Sequence, residues 1–562
     1  AYDILRCLVG SEMCIRGRTK GSKFMANRIK KKEETKSSYQ DNVALIMGAF
    51  TLIVLCVLPL VFHDFYFDIL ETKYQFYSAA AIAALVIMGG YGLASGKMIE
   101  WFSKFNFQTW RKSMNVCDWA MLVFWICNVL SWIFCKDWKW EAFWGTSGRY
   151  NGVFLMTVYM ASYFLVTRFF KLKQWYLDAF LAVGIFVCVF GITDYFQMDI
   201  LGFKVNMMDE QKAIYTSTFG NINTYTIYVA ALLAVSMVLF TQEKNQKRML
   251  WYFGNMVLSS FALIMGTSDN AYLSLAAIFG LAPLWLFRTK TGLRRYVISA
   301  ATFVTVILCI NGINQAYASS VLGIDSAFGL IAKQKFLPVL AALLWIASAA
   351  LVARSRKPQA LMNRTSSDEM NKIAVYIWLG VIAVVCLGVV FVLYDANAAG
   401  HADKYGAISS YVVFDDNWGT QRGYVWKRAV EIFTKKLTPI QKVFGYGADT
   451  FALLMQYYFP ADMQNGKMVI FDSAHNEYLH YLVTIGFAGM ASYIVFMMSS
   501  VVAMAKRMKE QPVVAAVMLA VLAYMIQATV NINLPIAMPI ILQLLAMGVG
   551  CRKTAVSEEK KD

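Results

Sequence analysis

Residues 373–394 read IAVYIWLGVIAVVCLGVVFVLY, a stretch without a charged side chain. As a helix rising about 1.5 Å per residue, it is long enough to cross the roughly 30 Å hydrocarbon core of a bilayer. Apolar stretches of similar length recur from Val43 to Gly550. They are continuous rather than alternating, which favours helices over a membrane β-barrel. The sequence therefore predicts an all-α, polytopic transmembrane helical bundle.

The composition supports this fold class. Of the 562 residues, 58% are hydrophobic and only 15% are charged, whereas soluble domains are nearer a quarter charged. The net charge of +17 is typical of a membrane protein that keeps Lys and Arg on its cytoplasmic side. Because no basic patch alternates with base-stacking aromatic residues, we expect membrane lipid around the chain and no nucleic-acid partner.

Fourteen spans are predicted, and twelve or thirteen remain possible because the breaks at 267–269 and 531–535 are weak. With the basic N-terminal tail inside, every short inner segment carries at least three Lys or Arg, which predicts that both termini are cytoplasmic. The predicted spans are 43–62, 78–95, 117–135, 153–169, 176–196, 223–240, 250–266, 270–287, 296–311, 336–353, 373–394, 477–503, 513–530 and 535–550.

This sidedness places segments 136–152, 197–222 and 395–476 outside, the last as one large extracytoplasmic loop between spans 11 and 12. Residues 1–18 resemble a translated sequencing adapter and are left out of the argument. The predicted organisation is an artefact at 1–18, a basic cytoplasmic tail at 19–42, spans 1–11 within 43–394, the loop at 395–476, spans 12–14 within 477–550, and a cytoplasmic tail at 551–562.

The outer loop contains a predicted amphipathic helix, GTQRGYVWKRAVEIFTKKL at 419–437. Its apolar residues recur at helical spacing, with either Ala429 or Val430 on the buried face. Arg422 and Trp426 are one turn apart and share a face, which points either to the membrane or to a ligand. We expect the loop to form a short cap over the outer face rather than a separate domain.

His475 is the candidate general base. It stands where the outer loop enters an apolar span, so we expect a pKa near the unperturbed value of about 6.5, suited to proton transfer near neutral pH. Asp472 or Ser473 could cap the helix that follows. The alternative is that His475 is only a polar residue at a helix start.

Three outer arginines are candidates for binding phosphate, because a guanidinium offers a planar pair of donors. They are Arg149, Arg422 and Arg428, and the last lies on another face of its helix from Arg422. The alternative for each is an ordinary surface charge. No metal site is predicted, since Asp415 and Asp416 are more typical of a solvated loop, and no nucleotide-binding motif or zinc-type cysteine spacing suggests a cofactor.

Five motifs together resemble the O-antigen ligase and O-antigen polymerase superfamily. The most specific is a His-Asn-x-x-Leu start of a span followed by a Gly-x-x-Gly bend. One departure is TSDNAYLSL at 267–275, where many members open a span with Ser-Arg. The motifs are GRYNG (148–152), FGNINTYTIYVA (219–230), RGYVW (422–426), FGYGADTF (444–451) and SAHNEYLHYLVTIGFAGM (473–490).

The resemblance implies a glycosyltransferase of polysaccharide biosynthesis in the cell envelope, in the bacterial cytoplasmic (inner) membrane. It would transfer or polymerise a glycan from a polyprenyl-diphosphate carrier, such as undecaprenyl diphosphate, onto a hydroxyl of a glycan, lipid or protein acceptor. By the same resemblance His475 is the base and Arg422 binds the diphosphate. Arg149, Arg428, Asn476 and Glu477 are expected to contact substrate, and Glu477 either orients His475 or caps the helix.

Two other functions remain open from the residues alone. A transporter or flippase for a lipid-linked glycan would need charged or broken helices near the midplane, whereas the predicted spans are nearly free of charge there. A membrane scaffold without activity would bind a protein through the outer loop, and His475 would then be dispensable.

Overall fold

The computed structural model describes residues 39–324, 327–355, 367–460, 471–508 and 510–550. Its regular structure is helical apart from one antiparallel pair, β1 (Tyr215–Thr216) and β2 (Gly220–Asn221). The predictions for 1–18, for most of the basic tail and for 551–562 lie outside the described residues.

Each predicted span overlaps a helix. The helices, in chain order, are α1 (Tyr39–Leu60), α2 (Ile69–Ala94), α3 (Lys97–Ser103), α4 (Phe107–Ser113), α5 (Val116–Phe134), α6 (Lys139–Trp144), α7 (Val153–Phe169), α8 (Gln174–Tyr195), α9 (Asp209–Lys212), α10 (Ile222–Gln242), α11 (Gln246–Met265), α12 (Asn270–Leu281), α13 (Pro283–Leu286), α14 (Lys290–Ala316), α15 (Ala327–Ala332), α16 (Leu337–Ser355), α17 (Ser367–Asn397), α18 (Ser409–Val412), α19 (Trp418–Glu431), α20 (Pro439–Phe444), α21 (Phe451–Tyr458), α22 (Glu477–Thr484), α23 (Gly486–Arg507), α24 (Val513–Gln527) and α25 (Met538–Gly550).

Nine of the described helices are long and apolar enough to span a membrane, namely α1, α2, α5, α8, α10, α14, α16, α17 and α23. Shorter apolar helices accompany them: α7, the pair α12–α13, α24 and α25. The chain is therefore a multi-pass membrane protein, and the predicted polytopic helical bundle is confirmed. The count of twelve to fourteen spans stays a prediction.

Helix α10 forms the centre of the bundle. It is buried along its whole apolar stretch and packs against α11, α12 and α24. Helix α17, by contrast, exposes nearly all of its apolar side chains and is attached near one end through Trp378, whose indole N–H donates to the carbonyl of Gly280 at 2.7 Å. An apolar helix of this kind is stable only with lipid around it.

Several predicted spans differ in their bounds from the helices of the structure, and two of these differences have a clear physical reason. Helix α2 begins at Ile69 rather than at 78, because the polar residue that obscured its start, Lys73, is buried and donates to the carbonyls of Leu58 and Pro59 at 2.7 and 3.0 Å. The same two carbonyls, at the end of α1, also accept from the backbone N–H of Val61 and from the hydroxyl of Thr218. The predicted span 477–503 is broken at Gly486, whose φ of +74° separates α22 from α23.

The large loop packs against the bundle through its own apolar cluster. Ala429 of α19 is fully buried there with Phe451 of α21 and Cys135 at the end of α5, whereas Val430 is half exposed. The buried-face alternative is thus decided for Ala429. Helix α19 has regular helical geometry only from Arg422 onward, since the residues at 419–421 have positive φ.

Candidate functional site

His475 occupies a tight turn immediately before α22. Its φ is +44°, a left-handed conformation that costs energy for a residue other than glycine and is common at functional sites. Asn476, and not Asp472 or Ser473, caps the helix, because its Oδ1 accepts from the backbone N–H of Leu479 at 3.0 Å. Ser473 instead accepts from the backbone N–H of His475 at 3.3 Å.

Two arginines influence the imidazole of His475. Burial, followed by the charges of Arg149 and Arg422, lowers the pKa of His475 to about 4, and Asp472 opposes this only in part. The expectation of a pKa near 6.5 was therefore wrong, because sequence alone places His475 at a membrane surface but cannot show the cations around it. Its Nδ1 is buried and has no hydrogen-bond partner among the described residues.

Arg422 is held at the start of the regular part of α19. Its Nη1 donates to the carbonyl of Gly419 at 3.1 Å, while its buried Nε has no partner within the described chain. Burial lowers the pKa of Arg422, and the charge of Asp269 opposes that effect. A guanidinium remains charged at any physiological pH, so Arg422 offers a fixed cation with an unused donor.

Trp426 connects α19 to the turn that carries His475. Its indole N–H donates to the carbonyl of Ala474 at 2.9 Å, and its ring packs against Trp418 at a centroid distance of 5.1 Å. The face shared by Arg422 and Trp426 therefore points toward the histidine turn. The face therefore packs on the protein rather than on lipid, and its contact with a ligand stays a prediction.

Arg149 reaches the same turn from the loop between α6 and α7. It is 7% exposed and forms an ion pair with Asp472, and its Nη2 donates to Ser473 Oγ at 3.4 Å. A buried guanidinium with one exposed carboxylate as its ion-pair partner keeps part of its charge available to an anionic ligand. The structure thus brings together Arg149, Arg422 and His475, which the sequence predicted for one site.

Asp449 is a further residue of this region that the sequence reasoning missed. Its buried Oδ2 accepts from the backbone N–H groups of Thr146 and Asn151 at 2.8 and 3.0 Å, on either side of Arg149. Burial raises the pKa of Asp449 to about 6, against the opposing effect of these hydrogen bonds and of Arg149. Asp449 therefore fixes the loop that presents Arg149, and its place in the glycine-rich turn was the only sequence signal.

Two glycines allow the glycine-rich turn at 444–451 to pack closely against the end of α22. A Cβ atom at Gly445, whose φ is +82°, would overlap the carbonyl of Thr484, and one at Gly486 would overlap the carbonyl of Val443. The backbone N–H of Gly447 donates to the carbonyl of Thr484 at 3.0 Å. The glycine-rich turn and the break between α22 and α23 thus pack backbone to backbone, which places Asp449 and His475 in one assembly.

A cavity of about 20 Å³ lies beside Arg149, enough for one water-sized group. Several side chains that line it carry buried polar atoms without a partner among the described residues. These atoms are Arg149 Nε, Asn151 Oδ1, Asp449 Oδ1, Glu477 Oε1, His480 Nδ1 and Asn533 Oδ1. Most of them are acceptors, so the cavity favours a group that supplies an O–H, such as water or a sugar hydroxyl.

Asparagines join the helices next to this site. Asn223 Oδ1 accepts from Ser268 Oγ at 2.6 Å and from Asn270 Nδ2 at 3.0 Å, and the carbonyl of Asn223 accepts from Asn531 Nδ2 at 3.2 Å. The motif at 219–230 therefore contacts the segment that departs from the usual Ser-Arg pair. Asp269 in that segment accepts from Tyr411 of the large loop at 3.2 Å.

The remaining predicted contacts have structural partners of their own. Arg428 donates to Glu431 at 2.9 Å and packs over the ring of Phe459, on another face from Arg422. Glu477 accepts from the hydroxyl of Tyr524 at 2.7 Å, and Asn476 acts as the cap. Their predicted role in substrate binding stays a prediction.

Within the described part of the chain, no group of His, Cys, Asp or Glu side chains is suited to hold a metal ion. Asp416 pairs with Lys427 at 2.7 Å, while Asp415 accepts from the backbone N–H of Asn417 at 3.0 Å. Asp194 is buried and accepts from the backbone N–H of Ser217 at 2.6 Å.

Residues 318–494 match the family model described as O-antigen ligase. This match over about a third of the chain supports the predicted resemblance to the O-antigen ligase superfamily. The matched ligase segment contains Arg422, Asp449 and His475, and Arg149 precedes it. The match supports glycan processing at a membrane, of ligase or polymerase type, and the matched family in general uses a lipid-linked glycan donor and a glycan acceptor. A comparison with curated proteins finds no match.

Proposed function

We propose that this chain is a membrane glycosyltransferase of the O-antigen ligase type. It moves a glycan from a polyprenyl-diphosphate carrier to an acceptor hydroxyl at the outer face of the cytoplasmic membrane, either as a ligase or as a polymerase. The observation that carries the proposal is one buried imidazole influenced by two arginines, each with an unpartnered Nε among the described residues.

The proposed reaction exchanges one bond at the anomeric carbon. The acceptor oxygen bonds to that carbon as the bond to the diphosphate oxygen breaks, and the electron pair leaves with the diphosphate. Arg422, together with Arg149, binds the additional negative charge that develops on the diphosphate as its bond to carbon breaks, because preorganised donors in a dry site stabilise charge that grows in the transition state. His475 accepts the proton of the acceptor hydroxyl.

The low pKa of His475 fits this order of events. Without donor, the two cations disfavour a protonated imidazole, so the base is free at neutral pH. A bound diphosphate offsets both cations and raises the basicity of the imidazole at the moment when a proton must be accepted. The carrier's apolar tail remains in the lipid beside the bundle, so the site serves a substrate that arrives laterally.

The acceptor-rich cavity beside Arg149 is proposed to hold a sugar hydroxyl. Its unpartnered oxygens include those of Asp449 and Asn533, which pair with O–H donors rather than with phosphate oxygens. We therefore assign the diphosphate to the side of Arg422 and a sugar to the side of the cavity, with Arg149 between them.

A reconstitution experiment tests the function. Purified full-length protein in lipid vesicles is given a polyprenyl-diphosphate glycan and a glycan acceptor, and products are separated by mass. We expect the glycan to leave the carrier and become attached to the acceptor. Movement of the intact donor across the bilayer without cleavage would instead establish a transporter. The absence of both cleavage and movement would support a scaffold.

A further inference from the structure

The segment that joins α2 to α5 forms a hairpin of two short helices, α3 and α4. Helix α2 ends at Ala94 and α5 begins at Val116, where Asn115 and Asp118 form a capping box. Only two residues separate α2 from α3, and two separate α4 from α5. Because α2 and α5 are both long enough to span a membrane, this hairpin must lie at the membrane surface.

Large apolar side chains of the hairpin are exposed. Ile99, Phe102 and Phe107 are each 60% exposed or more, and Trp101 and Phe105 about half exposed, with their two rings in contact at 5.2 Å. A contiguous apolar patch of this kind is rare on a surface that faces water. At the end of spanning helices it fits the boundary between headgroups and acyl chains, where aromatic residues are enriched.

Positive charge accompanies this patch. Glu100 is the one acidic residue of 97–113 and already pairs with Lys97 at 2.8 Å and with Lys104 at 2.9 Å. Arg111 and Lys112, in the last turn of α4, are exposed and form no ion pair with any described residue. The hairpin thus presents two unpaired cations beside an apolar patch, which is complementary to a phosphate headgroup above acyl chains.

The hairpin lies at the other end of the bundle from the candidate site. Helix α5 starts beside it and ends at Phe134, next to Cys135, which packs with α19 and α21 of the large loop. A helix of this length extends about 28 Å, roughly the thickness of the hydrocarbon core. The hairpin and His475 therefore lie at opposite leaflets. If the candidate site faces the outside, the hairpin lies at the cytoplasmic leaflet.

We propose that residues 97–113 bind anionic phospholipid headgroups of the cytoplasmic leaflet, with Arg111 and Lys112 on the phosphates and the exposed aromatic rings among the upper acyl carbons. The binding anchors one end of α2 and α5 in that leaflet. The lipid binding does not depend on the proposed transferase function, since none of these residues touches the candidate site. Only its assignment to the cytoplasmic leaflet rests on the candidate site facing outside.

Hydrogen exchange measured by mass spectrometry tests the proposal at peptide resolution. The full chain is placed in nanodiscs of phosphatidylcholine alone or of phosphatidylcholine with phosphatidylglycerol. We expect the amides of 97–113 to exchange several-fold more slowly with phosphatidylglycerol present. In the double variant Arg111→Gln/Lys112→Gln this slowing should be lost.

A matched control is Lys244→Gln/Lys247→Gln, which removes two exposed cations outside the hairpin, Lys244 just before α11 and Lys247 in its first turn. This variant should keep the full slowing at 97–113. Equal exchange of the hairpin in both lipids, or slowing that survives in the Arg111/Lys112 variant, would overturn the proposal. Unchanged exchange in α10 and α24 shows that each variant is folded.

Discussion

At the scale of single residues, His475 has the surroundings of a base that is kept unprotonated. Burial and two cations lower its pKa to about 4, so the imidazole is neutral above that pH and becomes charged only below it. We therefore expect the acid limb of kcat/KM, which reports the free enzyme, near pH 4 rather than near pH 6.5. The acid limb of kcat, which reports the enzyme with substrate bound, should lie at higher pH, because the bound diphosphate offsets the charges of the two arginines.

Replacing Arg422 by Gln removes one of the cations that lower the pKa of His475. The acid limb of kcat/KM should then move to higher pH, whatever activity remains. Lys427→Gln, on the exposed side of the same helix, should leave the limb in place, because Lys427 pairs with Asp416 away from the site. A wild-type limb near pH 6.5, or a limb that Arg422→Gln does not move, would contradict this account of the imidazole.

Asp449 acts on Arg149 through the backbone and is therefore a positioning residue. Replacement by Ala leaves two N–H groups without their acceptor, at about 1–3 kcal/mol each when buried, so we expect a lower Tm and a raised KM for the donor. Asn retains one side-chain oxygen as acceptor and should restore most of the Tm. If Asp449→Ala leaves both Tm and KM unchanged, the loop is held by something else.

At the scale of elements, the packing of the glycine-rich turn against the break between α22 and α23 holds the site together. Gly445→Ala would impose a positive φ on alanine and overlap the carbonyl of Thr484, so we expect a loss of about 2 kcal/mol or more and a clearly lower Tm in purified protein. A Tm equal to that of the parent would show that this contact is not required.

Gly254 in α11 provides the matched control for that substitution. It has no positive φ, and a Cβ atom there meets nothing within 4 Å. Gly254→Ala should therefore be neutral, or stabilise the helix by up to about 1 kcal/mol. The contrast separates the effect of the close backbone contact from a general effect of removing glycine.

The helices were more predictable than the contacts between them. Long apolar runs such as 373–394 report membrane helices directly, because only a helix satisfies its own backbone in lipid. The predicted start of α2 was wrong because the polar residues before 78 are typical of a loop. The sequence does not show that the side chain of Lys73 is buried and donates to carbonyls of the preceding helix. The N-cap of α22 is also ambiguous from the sequence, because Asp472, Ser473 and Asn476 are all residue types that cap helices.

The sequence motifs single out Arg149, Arg422 and His475 but not Asp449, and they do not show the contacts that join these residues. Arg149 and Asp472 are far apart in the chain, and nothing in either motif shows that they pair. The sequence also does not show that Asp449 accepts hydrogen bonds from the loop before α7. Almost any residue type can supply a backbone N–H, so the donor residues carry no signal. Burial, followed by the charges of Arg149 and Arg422, lowers the pKa of His475. Because these surroundings arise from contacts between distant parts of the chain, the sequence-based expectation failed.

At the scale of the whole molecule, the site and the hairpin of α3 and α4 must face opposite sides of the membrane. Lys435 in the large loop and Lys104 in the hairpin each have a side chain 72% exposed, so they form a matched pair for cysteine labelling. On intact cells, a membrane-impermeant maleimide should label Lys435→Cys above the parent chain. Lys104→Cys should react only after permeabilisation, and the reverse pattern would place the site in the cytoplasm.

The central claim is that His475 accepts the proton of the acceptor during glycan transfer, and turnover in reconstituted vesicles tests it most directly. Removal of a general base costs about 10²–10⁴-fold in rate, so His475→Ala should reduce glycan transfer from a polyprenyl-diphosphate donor to that extent with protein yield unchanged. His401→Ala, which removes an exposed histidine paired with Asp395, should transfer at the parent rate. Transfer by His475→Ala at the parent rate would contradict the account.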